Sequence, residues 1–97
     1  MKICTTNAVF LRYELVDAFA TIKRCGYDGV EIWGGRPHAY PYDIGQEEAE
    51  EIVADAEAQK LEIACYTPEQ VMYPINIASE NEKIRKKSIE YLKKAIE

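Results

Sequence analysis

Gly26-Tyr27-Asp28-Gly29-Val30-Glu31-Ile32-Trp33-Gly34-Gly35-Arg36-Pro37-His38 decides how this chain folds. Gly26 can take the left-handed conformation that ends a helix, and Tyr27 can then fold back on the last turn. Asp28-Gly29 reads as a tight turn. Val30 to Trp33 is a short apolar run between breakers, the mark of a buried strand. Gly34-Gly35 leaves that strand and delivers Arg36, His38 and the Trp33 ring to one place. The run is therefore helix stop, strand and polar loop in thirteen residues.

Working outward, Lys2 to Thr6 reads as a first strand and Arg12 to Cys25 as a helix. Leu15, Val16, Phe19 and Ile22 give that helix one apolar stripe at helical spacing. Residues 34–45 form a loop rich in Gly, Pro and Tyr. Gln46 to Gln59 reads as a second helix with Ala49, Ile52, Val53 and Ala56 turned inward. Lys60 stands where a C-cap glycine belongs, a left-handed position that strains a side chain by ~1 kcal/mol. Leu61 to Tyr66 is a third strand, broken by Thr67-Pro68. After a loop over 68–78, Ser79-Glu80-Asn81-Glu82 fits a capping box, with the Ser79 hydroxyl as the cap. Ile84, Ser88, Tyr91, Leu92, Ala95 and Ile96 line the third helix.

The order βαβαβα predicts an α/β fold with parallel strands and right-handed crossovers. The strands are nearly continuous apolar runs, which suits a sheet covered on both faces. In a (β/α)8 barrel, the loops after the strands form the rim where active sites sit. Three units form only part of such a barrel. The sequence stops at Ile96-Glu97 inside an amphipathic stripe, with no C-cap glycine and a carboxylate at the negative end of the helix dipole. That ending, with two strand edges left open, reads as a fragment completed by a missing C-terminal part or by self-association.

At 97 residues the chain is one domain at most, with a thin core. Its 47 % hydrophobic and 30 % charged residues place it among globular, soluble chains rather than disordered ones. No apolar run approaches the roughly 20 residues of a membrane span, and the start lacks a secretory stretch, so the expected compartment is the cytoplasm. A net charge of −5 opposes a nucleic-acid surface. The second helix is acidic (Glu47, Glu48, Glu50, Glu51, Asp55, Glu57) and the third basic (Lys83, Arg85, Lys86, Lys87, Lys93, Lys94). These are either two solvated faces or neighbours that attract each other weakly. Cys4, Cys25 and Cys65 are too few and too scattered for a metal motif and read as buried reduced thiols.

The opening run, continued by Ala39 and joined to Tyr66-Thr67-Pro68-Glu69 and Tyr73-Pro74-x-Asn76, resembles the start of the xylose isomerase-like sugar epimerases. The likeness is strongest to the fructoselysine 3-epimerase branch, near the tagatose/psicose 3-epimerases. The Gly-hydrophobic-Asp-Gly-hydrophobic-Glu portion marks only the superfamily; Trp33 to His38 with Tyr66 to Glu69 is more specific. The resemblance spans the first three βα units of a TIM (β/α)8 barrel. It implies a divalent metal, manganese or magnesium, and two glutamates from later strands. These exchange the proton at the carbon next to a ketose or fructosamine carbonyl through a cis-enediolate. Those residues have no counterpart here. The chain alone is thus expected to hold no tight metal site and to have no activity. The rivals are a non-catalytic fragment that assembles through open strand edges, and a nuclease-like relative.

Six residues remain as candidates for substrate binding. Glu31 lies inside an apolar strand, as either a bonded structural carboxylate or a direct contact. His38, the only histidine, is a solvated loop residue, a partner for a sugar hydroxyl, or a metal ligand. Trp33 is core or an apolar wall against a sugar face. Arg36 is solvated or binds an anionic group. Tyr66 and Glu69 either touch a ligand at the rim or fix the loops around it. Tyr40, Tyr42 and Tyr73 read as lid packing.

Overall fold

The computed structural model describes residues 1–72 and 74–97; the expected lid residue Tyr73 lies outside them. Strands β1 (Cys4–Thr6), β2 (Gly29–Gly34) and β3 (Glu62–Pro68) form one parallel sheet in the order β1-β2-β3. Helices α1 (Leu15–Arg24), α2 (Gln46–Ala58) and α3 (Glu82–Ile96) follow the strands in turn. The predicted βαβαβα order holds. A short 3-10 turn, Asn7–Phe10, inserts after β1, so α1 starts later than the sequence suggested. β3 runs on to Pro68 because its last residues pair with Trp33 and Gly34. Pro68 costs no ladder bond there: the next amide, Glu69 N–H, reaches the Gly34 carbonyl at 3.4 Å.

The covered face of the sheet is built by β2 and the first two helices. Val30 and Ile32 are buried against Phe19 and Ile22 of α1, Ala56 of α2, and Ala39 and Leu61. Side chains alternate along a strand, so Glu31 and Trp33 take the other face. A bulge breaks the pairing between Val30 and Glu31: Val30 pairs with Ile63 and Glu31 with Cys65, which skips Ala64. The bulge lets both Ile63 and Tyr66 pack on the helix side.

The second face is open. Cys4 and Cys65 are exposed on strands beside Gly29 and Glu31. The expectation of a sheet covered on both faces fails among the described residues. So does that of buried thiols, because Cys25, at the C-cap of α1, is exposed as well. Val16, Ala49 and Val53 also miss the core. Ala49 and Val53 line a groove of about 650 Å³ between α2 and α3, with Ile44, Tyr66 and Ala95. The ion pairs of α3, Lys86–Glu82 and Lys94 with the C-cap residue Glu97, run along that helix rather than reaching α2. Its buried anchors are Ser88 and Tyr91.

Local chemistry sets the element ends. α1 closes through Gly26 at φ 89°, with Gly26 N–H on Lys23 O (2.9 Å) and Tyr27 N–H on Ile22 O (3.4 Å). α2 closes the same way through Lys60 at φ 55°, with Lys60 N–H on Glu57 O (2.8 Å) and Leu61 N–H on Ala56 O (2.9 Å). The cap of α3 is Asn81, not Ser79: Asn81 Oδ1 accepts Lys83 and Ile84 N–H, while Ser79 Oγ accepts Asn81 N–H. A carboxylate reaching back occurs instead at α2, where Glu48 Oε2 accepts Gly45 N–H at 2.8 Å. Its own backbone N–H and that of Gly45 hold the Glu48 carboxyl below its usual value. At the N-terminal end of the sheet, Asp28 touches both neighbours. Its carboxylate accepts Ile3 N–H (2.8 Å), its N–H donates to Ile3 O (2.9 Å), and its carbonyl accepts Glu62 N–H (3.1 Å). No helix among the described residues is long and apolar enough to cross a membrane.

Candidate functional site

The C-terminal ends of β2 and β3 bring the predicted residues together. Gly34 and Gly35 permit this by the absence of a side chain. A Cβ on Gly34 would collide with the Tyr66 ring, and one on Gly35 with the Trp33 indole. The indole thus lies over the Gly35 backbone at the end of β2, and the Tyr66 ring lies against Gly34. Tyr66 Oη donates to Ala39 O at 2.7 Å. Burial, with Tyr40 nearby, pushes the Tyr66 phenol up to about 12, so it stays a neutral donor at ordinary pH.

Glu69 sits at the junction of three segments. It is only 5 % exposed. Its Oε1 accepts the N–H groups of Val71 (2.5 Å) and Met72 (2.8 Å), so the buried carboxylate shapes the loop after β3. Its carbonyl accepts the Tyr91 hydroxyl at 2.7 Å, which ties α3 to the rim. The Tyr91 ring also packs on Tyr40 (5.8 Å) and Tyr42 (6.0 Å), so these tyrosines join α3 to the loop after β2.

Arg36 is held within its own loop. Its Nε and Nη2 donate to the two Asp43 oxygens at 2.5 and 2.8 Å, and its guanidinium lies 4.4 Å from the Tyr40 ring centre. That fork lowers the Asp43 carboxyl below its usual range.

His38 is held at both ring nitrogens. Nδ1 lies 3.0 Å from Asn7 Nδ2, and Nε2 lies 2.7 Å from the Tyr13 carbonyl. Asn7 Oδ1 in turn accepts the backbone N–H of Trp33 at 2.6 Å. Asn7 is fully buried and absent from the sequence-based candidates. Its one signal is a lone amide placed directly after β1, ahead of the apolar Ala8-Val9-Phe10.

Of the six candidates, Tyr66, Glu69, Arg36 and His38 therefore fix loops, while Glu31 and Trp33 lie on the open face. A divalent metal has no donor set here: among the described residues no three His, Cys, Asp or Glu side chains converge. The arrangement sets an aromatic plane and a carboxylate on one face of one strand, β2.

A model of the xylose isomerase-like TIM barrel family matches residues 19–97. The fructoselysine 3-epimerase of Shigella flexneri is 40 % identical over 86 residues, covering 89 % of this chain and 31 % of that protein. The fructoselysine 3-epimerase of Escherichia coli O157:H7 is 38 % identical over the same shares. The chain thus spans 31 % of the length of the curated relatives it matches. No solved structure matches it significantly.

Proposed function

Because this chain belongs to the xylose isomerase-like TIM barrel family, we propose that it forms part of the sugar-facing wall of a sugar isomerase/epimerase. The reaction would lie at the carbon next to a ketose or fructosamine carbonyl, as the likeness to fructoselysine 3-epimerases suggests. The observation that carries this is the strand end itself. Trp33 lies over Gly35 at the end of β2, and Glu31 shares its face two residues earlier. An indole plane suits the C–H face of a sugar, and a carboxylate accepts hydrogen bonds from its hydroxyls. Arg36, His38, Tyr66 and Glu69 keep this wall in shape.

The divalent metal that the resemblance implies, manganese or magnesium, finds no donor set among the described residues. Proton removal and return belong to groups elsewhere in a complete barrel, so this chain alone turns over no sugar. The reading places it in the cytoplasm, which suits three unpaired thiols.

A chimera tests the proposal. The chain replaces the matching 86 residues of the Shigella flexneri enzyme, and epimerisation of fructoselysine is followed. Turnover is expected, with Trp33→Ala raising KM by about tenfold. A folded chimera without turnover sinks the reading.

One observation favours a second reading, a non-catalytic fragment that self-associates. β1 and β3 each carry an outer edge unpaired among the described residues, and parallel edges of that kind recruit further strands. Light scattering on the purified chain decides it: a stable monomer at micromolar concentration excludes this reading.

A further inference from the structure

The Asn7 amide has only one arrangement that satisfies its neighbours. The backbone N–H of Trp33 can only donate, and it points at one end of the carboxamide at 2.6 Å. That end must be the oxygen. The NH2 end then faces His38 Nδ1 at 3.0 Å, so Nδ1 must accept. The Tyr13 carbonyl can only accept, and it lies 2.7 Å from Nε2, so Nε2 must carry the hydrogen. Each assignment forces the next, and the imidazole is left neutral in a single tautomer.

The chain of bonds joins four places: the end of β2, the turn after β1, the segment before α1 and the loop after β2. His38 N–H is further fixed on Gly35 O at 3.1 Å, beside the indole of Trp33. We propose that Asn7 is a positioning residue of the rim. It locks His38 in the neutral Nε2–H form and thereby sets the Trp33 end of β2 against the Tyr13 segment. The link to sugar binding rests on the function proposed above; the tautomer lock does not.

The chain contains one histidine and one tryptophan, so both ends of the relay can be read without assignment ambiguity. The test is long-range nitrogen-15 NMR of the full chain near neutral pH. The wild-type ring should show a protonated Nε2 and a bare, hydrogen-bonded Nδ1. A protonated Nδ1, or an averaged mixture of tautomers, overturns the proposal, and this measurement needs no variant. Asn7→Asp keeps an acceptor for Trp33 N–H but turns a second acceptor toward Nδ1. That ring must then take up a proton, so both nitrogens should read as protonated while the far-UV spectrum stays unchanged. An unchanged ring in folded Asn7→Asp overturns the proposal. In the chimera, Asn7→Asp should raise KM by about tenfold with kcat little changed. A locked ring in a chimera that turns over no sugar refutes the function reading alone. A mixed ring in a working chimera refutes the lock alone.

Discussion

The two faces of the sheet are unequal. On one, Val30 and Ile32 are buried under Phe19, Ile22 and Ala56, and the chain supplies both sides of the contact. On the other, Glu31, Trp33 and Cys65 share a surface that no helix of the described chain covers. The first face holds the fold through apolar area removed from water. The second holds the residues proposed above to face a sugar. Stability and chemistry thus divide along the two-residue alternation of one strand, β2.

The largest effect should fall on the covered face. Phe19→Ala should cost about 3–5 kcal/mol, enough to unfold much of so small a chain, as read by urea melting. Glu31→Gln on the open face should stay within about 0.5 kcal/mol. Equal losses would break the comparison. Next comes the point where the open face meets the rim. Gly35→Ala should cost ~1–3 kcal/mol by crowding the indole, and it should shift the emission of the single tryptophan.

Changes at the ends of α2 should move stability and leave that emission alone. Lys60→Gly should relieve the left-handed backbone and gain ~0.5–1 kcal/mol, raising Tm by roughly 2–8 °C. The smallest effect is an acid one. The folded Glu48 carboxyl titrates below its ordinary 4.5. Its contribution is complete above that pH and is lost as the pH falls through the lowered value. Glu48→Gln should therefore flatten the acid limb of a melting-versus-pH curve.

The elements were legible in the sequence because short-range patterns encode them. The α1 stripe, the Val30–Trp33 run and both left-handed ends at Gly26 and Lys60 follow from neighbours within a turn. Illegible were the features set across space. Asn7 meets Trp33 from 26 positions away, and that contact alone turns an unremarked amide into the organiser of the rim. The exposure of Cys4 and Cys65 depends on what covers the sheet, which composition does not encode. The α3 cap went to Asn81 because two acceptors compete within three residues, and Asn81 Oδ1 reaches both Lys83 and Ile84 N–H. The bulge at Ala64 leaves no local signature, yet it decides that Tyr66 faces the helices.

Asp28 bonds to Ile3 on one side and Glu62 on the other, at the end of the sheet farthest from Trp33 and Tyr66. It works as the spine of a book whose pages open at the opposite edge. Strand alignment is settled at the bound margin, so a loop at the free margin can lengthen, shorten or change residue without any strand sliding past its neighbour. A scaffold bound in this way can exchange one ligand preference for another by editing the free margin alone.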